Sequence, residues 1–128
     1  MIVAGVGCRR DTAAPDIEAA IREALARAGI ASNALDAIAT IAAKRDEAGI
    51  TTAAVNLGVA IVLVSDAELK SAGERTVTRS ERVLALMGVP SVAEAAALAA
   101  AGPSARLISS RLIVGSATCA LASSEQTS

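Results

Sequence analysis

Ile2-Val3-Ala4-Gly5-Val6-Gly7-Cys8-Arg9-Arg10-Asp11-Thr12 opens the chain with the pattern that decides its fold. Ile2–Val6 is apolar and largely β-branched, stops at Gly7 and gives way to a polar loop. From Asp16 onward Ile17, Ile21, Leu25 and Ala28 recur every three or four positions, with Glu18, Arg22 and Glu23 on other faces. An apolar run followed by a 3.6-residue period reads as strand, loop, helix. Pro15 and Asp16 suit a first turn, and Gly29 stands where a helix stops.

The same alternation continues outward. Asn33 can cap a short turn through Leu35–Ile38, and Ala39–Ala42 then reads as a second strand ending at Lys44, although an alanine-rich helix could also absorb it. Ile50–Leu57 has helical spacing closed by Gly58. Val59–Val64, continuous and mostly β-branched, is the clearest strand in the chain. Ser65 or Asp66 caps a brief helix through Lys70. Ser71–Thr78 is polar and without a period, which predicts a mobile loop. Ser80–Met87 and Ser91–Ala100 read as helices, ended by Gly88 and by Gly102-Pro103. Arg106–Val114 and Ala117–Leu121 are strand-like runs separated by Gly115-Ser116, a spacing suited to a tight hairpin. Residues 123–128 are expected to fray. These elements predict one α/β domain over 1–122, with a mostly parallel sheet of about five strands and an antiparallel C-terminal hairpin at one edge.

Composition narrows the chemistry. A chain of 128 residues with 53% hydrophobic content, drawn mainly from Ala, Val, Ile and Leu, can bury a core as one domain. Twelve basic and thirteen acidic side chains leave a formal charge of -1, so no global field steers the protein to nucleic acid or to an anionic membrane. The absence of Phe, Tyr, Trp and His also removes the usual base-stacking platforms. No apolar stretch approaches the ~18 residues of a membrane span, and no leader is recognisable before Ile2. Cys8 and Cys119 are too few for a disulfide framework and predict a reducing, cytoplasmic setting. Without histidine there is no Ser-His or Cys-His nucleophile pair, and no metal site or cofactor is expected.

Three constellations can carry function. Gly5, Gly7, Cys8, Arg9, Arg10 and Thr12 follow the first strand: the glycines admit close backbone approach, and two arginines can grip a carboxylate or phosphate. The same stretch is also simply a tight turn with solvated arginines. It is neither a dinucleotide fingerprint nor a Walker loop, since the third glycine and the Gly-Lys-Ser/Thr are missing. Lys44 beside Asp46 and Glu47 places an amine near two carboxylates, suited to acid–base chemistry or to holding an anion, and equally to a solvated helix cap. Ser91 followed by Val92 and Glu94 fits a capping box, which explains both polar residues without a ligand, while the helix start could still receive an anion. Cys8, flanked by arginines, is a candidate for a lowered thiol pKa. Cys119 reads as buried filler.

In this order, these segments resemble the CobE proteins of cobalamin biosynthesis and the C-terminal domain of CbiG. The resemblance is carried by Val3-Ala4-Gly5-Val6-Gly7-Cys8-Arg9-Arg10, by Ala39-Thr40-Ile41 with Lys44 and Asp46-Glu47, by Ser80-Glu81 with Val83, and by Gly88-Val89-Pro90-Ser91-Val92-Ala93-Glu94-Ala95-Ala96-Ala97-Leu98. It spans Ile2 to about Ala122. It implies a three-layer α/β/α fold and a part in making the corrin ring of vitamin B12. In two-domain CbiG-like proteins the activity is hydrolytic opening of a ring lactone on a cobalt-precorrin; a stand-alone domain of this size looks like CobE.

Corrin precursors are macrocycles fringed with acetate and propionate groups. The resemblance therefore implies a precorrin or corrin ligand met by Gly5, Gly7, Cys8, Arg9, Arg10, Thr12, Lys44, Glu47, Ser80, Ser91, Val92 and Glu94. Lys44, Asp46 and Glu47 are the candidates if there is catalysis. Docking on another enzyme of the pathway is the remaining reading. One departure stands out: where members of the family often have a basic run near the last hairpin, this chain has Ser109-Ser110-Arg111-Leu112-Ile113-Val114, with a single positive charge.

Overall fold

The computed structural model describes residues 1–76 and 91–124. Five strands form one sheet in the order β3-β2-β1-β5-β4. Strands β1 (Ile2–Cys8), β2 (Ala37–Ile41) and β3 (Ala60–Val64) run parallel, and β5 (Ala117–Ser123) pairs antiparallel with both β1 and β4 (Arg106–Val114). The sheet is therefore mixed, with its antiparallel hairpin at one edge as the sequence predicts.

Helices α1 (Ala14–Arg27) and α2 (Ala48–Leu57) cover one face. There Ile17, Ile21, Leu25 and Ile50 pack on Ala4, Val6, Ile38, Cys119 and Leu121. Helices α3 (Asp66–Gly73) and α4 (Val92–Ala101) cover the other, where Leu69, Ala72 and Leu98 meet Val3, Ala39, Val64 and Ala122. The result is a three-layer α/β/α sandwich whose core is mainly aliphatic and holds no aromatic ring.

α4 is mostly alanine, and its closeness to the sheet follows from Gly5. A Cβ on Gly5 would lie 2.8 Å from the Ala97 Cβ and would press on the Ala93 carbonyl oxygen. Gly5 thus admits the close packing of this helix on the sheet.

Several boundaries differ from the sequence expectation. β2 begins at Ala37, inside the turn expected over Leu35–Ile38. Asp36 fixes this start, since its carboxylate accepts the Ile2 N–H at 2.7 Å and its own N–H donates to the Ile2 carbonyl at 2.9 Å. Ala42–Lys44 then forms a 3₁₀ turn. Helix α3 runs through Gly73, so Ser71, Ala72 and Gly73 are helical, not loop. Ser65 and Glu68 make a full capping box at its start, and burial of Leu69 and Ala72 carries the helix past Lys70. β5 extends to Ser123, where it pairs with Ile2. The expected helix Ser80–Met87 lies outside the described residues.

Candidate functional site

Pairing between β1 and β2 ends at Gly5 and Ala39, although β1 continues to Cys8 along β5. Beyond that point the Thr40 hydroxyl donates to the Val6 carbonyl at 2.9 Å. A crevice of about 360 Å³ opens at these strand ends. In open α/β sheets ligands collect at this end of the strands. Its floor is apolar, from Val6, Ile41, Val92, Ala93 and Ile113, and Arg9, Lys44 and Arg111 line it with positive charge. Among the described residues that line it there is no carboxylate.

The loop that carries Arg9 is fastened on two sides. On the hairpin side, the Arg9 N–H donates to the Ser116 carbonyl at 3.1 Å, and the Thr12 and Ser116 hydroxyls meet at 2.8 Å. Thr12 also donates to the Arg9 carbonyl at 2.7 Å. On the α2 side, the Asp11 N–H donates to Glu47 Oε1 at 2.8 Å. Asp11 has φ 62, and among the described residues it alone is a non-glycine in that region.

Of the residues singled out by sequence, Gly7, Cys8, Arg9, Lys44 and Val92 line the crevice. Arg10 and Asp46 are exposed and stand outside its wall. Thr12, Ser91 and Glu94 are buried and structural: Thr12 braces the loop, and Ser91 caps α4 by accepting the Glu94 N–H at 3.4 Å. The capping box expected there is half formed, because Glu94 Oε2 instead accepts the Arg111 N–H of β4 at 2.8 Å. Glu47 pairs with Lys44 at 3.7 Å. Ser80 is outside the described residues.

Cys8 lies half-buried in the crevice wall. Burial pushes its thiol up, and Glu47 adds to this, against opposing contributions from Lys44 and the Thr12 hydroxyl. The lowered thiol expected from its arginine neighbours is therefore overturned: desolvation outweighs charge, and Lys44, not an arginine, is the cation that acts on it.

Sequence reasoning missed Thr40, Ile41, Arg111, Ile113, Ser116 and Thr118. Their signal was faint, since β4 contributes through a strand with register shifts between Leu107 and Ser109 and between Ser109 and Leu112. Among the described residues no group of three or more Cys, Asp or Glu is placed to hold a metal ion. No described helix is long and apolar enough to cross a membrane.

The family described as "Cobalamin synthesis G C-terminus" matches residues 2–122. This chain belongs to that family. Within it, the chain is 38% identical over 121 residues to Protein CobE of Sinorhizobium sp, covering 94% of this chain and 79% of that one. The crystal structure of CobE, a protein from the cobalamin biosynthetic pathway, superposes with a TM-score of 0.88 at 36% identity, over 95% of this chain and 89% of the other. A cobalt-precorrin-5A hydrolase of Priestia megaterium is 32% identical over 102 residues, which are 80% of this chain and 27% of the hydrolase. The chain thus spans about a quarter of that enzyme. As a member of the cobalamin synthesis family, it carries the crevice on a fold shared with a cobalamin-pathway protein.

Proposed function

We propose that the crevice binds the carboxylated edge of a precorrin or corrin intermediate in cobalamin biosynthesis. The observation that carries this reading is the meeting of Arg9, Lys44 and Arg111 over an apolar floor, with no acidic residue among the described residues of the lining. Guanidinium and ammonium groups neutralise acetate and propionate arms, and the aliphatic floor receives a ring edge. At organic packing density a corrin with its acid arms occupies on the order of 1,000 Å³. A crevice of about 360 Å³ therefore grips one side of the macrocycle and leaves the rest outside. Arg10, Asp46 and Ser80 carry no part of this reading.

Titration with hydrogenobyrinic acid, followed by the visible absorption of the macrocycle, tests the proposal. Saturable binding that weakens with added salt and with Arg9→Ala, Lys44→Ala or Arg111→Ala is expected. Salt-insensitive binding, or binding untouched by all three changes, would count against it. Failure to bind any intermediate of the pathway moves the reading to a docking subunit for another enzyme.

Resemblance to the cobalt-precorrin-5A hydrolase supports a second reading, lactone opening with Lys44 and Glu47 managing protons. Turnover of a precorrin that Glu47→Gln abolishes while binding persists would establish it over binding alone.

A further inference from the structure

We infer that Glu47 is the positioning residue of the crevice, one carboxylate holding both the Arg9 loop and Lys44 until an incoming ligand carboxylate replaces it at Lys44. The inference rests on the anion-binding reading above. Glu47 occupies the N-cap position of α2, yet its side chain caps no helical N–H. Its two oxygens are spent elsewhere: Oε1 on the Asp11 N–H at 2.8 Å, Oε2 toward Lys44 Nζ at 3.7 Å.

The first contact is a clamp. Asp11 is in the left-handed backbone region, which costs a non-glycine residue on the order of 1 kcal/mol and persists only where neighbours hold it. Ser116 holds the loop from the hairpin side, and Glu47 is its fastening on the α2 side. The second contact is loose. At 3.7 Å it exceeds hydrogen-bond length, and the Lys44 side chain keeps 25% exposure against 12% for Glu47. Lys44 lines the crevice and Glu47 does not, so a carboxylate in the crevice meets the ammonium from the open side. Cys8 senses both charges with opposite sign, which makes its thiol a reporter of the pair.

Glu47→Gln separates the two contacts, because the amide oxygen still accepts the Asp11 N–H while the competing charge is gone. Glu47→Ala removes both. In the ligand-free protein, Cys8 is alkylated with anionic iodoacetate and with neutral iodoacetamide across a pH series; Cys119 is buried and does not compete. Glu47→Gln is expected to lower the apparent Cys8 pKa and to raise the iodoacetate-to-iodoacetamide rate ratio about fivefold. That is the scale of one charge ~4 Å away at a hydrated surface. With hydrogenobyrinic acid, Glu47→Gln is expected to bind about fivefold tighter than the unaltered chain, and Glu47→Ala weaker than Glu47→Gln.

A residue that only supported the fold would leave the rate ratio unchanged. An unchanged or lower ratio in Glu47→Gln overturns the inference, whether or not Glu47→Ala folds. If the ratio rises as expected but no corrin carboxylate binds, the corrin reading fails and the positioning role of Glu47 stands.

Discussion

Glu94 and Arg111 are joined through the backbone: the fully buried Glu94 carboxylate on the first turn of α4 accepts the Arg111 N–H at 2.8 Å from the irregular stretch of β4. Two walls of the crevice, the helix start and the edge strand, are thereby held by one side chain. Glu94→Ala leaves that N–H without its acceptor and is expected to cost about 1–3 kcal/mol by urea unfolding. It should also weaken binding of hydrogenobyrinic acid, because Arg111 is no longer held at the crevice. Glu94→Gln, which keeps an acceptor, should lose less of both.

Gly5 leaves no room for a side chain beneath α4. Gly5→Ala drives a methyl group against the Ala93 carbonyl and the Ala97 Cβ, and α4 must shift outward to admit it. A loss of about 1–3 kcal/mol is expected, read from the midpoint of urea unfolding by far-ultraviolet circular dichroism. Ala97→Gly in the same chain relieves part of the clash and should recover part of the loss.

Burial raises the Cys119 thiol from 9.0 to about 12. The folded state therefore keeps its proton between these values while the unfolded chain loses it, so stability falls as pH rises through that window. The slope from this one group is about 1.4 kcal/mol per pH unit. Cys119→Ala should remove that increment of alkaline sensitivity, measured as the difference between the two proteins' unfolding free energies from pH 8 to 11.

Arg75 closes the far end of α4. Its guanidinium donates to the carbonyls of Gly102, Pro103 and Ala105 at 3.3, 3.4 and 3.0 Å. Arg75→Ala is expected to destabilise by about 1–2 kcal/mol, and Arg75→Lys to restore only part of this, because an ammonium does not reproduce the planar fork. Chemical denaturation of the two variants checks it.

The fold was largely legible because the apolar runs Ile2–Val6 and Val59–Val64 and the helical spacing of Ile17, Ile21 and Leu25 agree with the local structures they form. Gly115-Ser116 likewise marked the hairpin. What misled were places where tertiary contacts settle the local state: Asp36 bonds Ile2 and starts β2 early, and Leu69 and Ala72 bury against α4 and draw Ser71–Gly73 into a helix. The candidate site was half legible. Arg9 and Lys44 stand at strand ends, as sequence order suggested. Arg111 and Ile113 enter from a strand distant in sequence and contiguous in the sheet, which no local motif announces. Gly5 and Glu94 drew notice for a ligand; in the structure Gly5 admits the close approach of α4 and Glu94 ties α4 to β4.

A core built without a single aromatic ring makes the protein optically silent above the peptide bands. With no Trp, Tyr or Phe, the chain has no aromatic absorbance near 280 nm and no intrinsic fluorescence. Protein concentration must be read from amide absorbance or amino-acid analysis, and tertiary packing gives no near-ultraviolet dichroism from rings. A coloured guest in the crevice is then the sole chromophore of the complex, so every visible or near-ultraviolet change on mixing reports the surroundings of the guest itself.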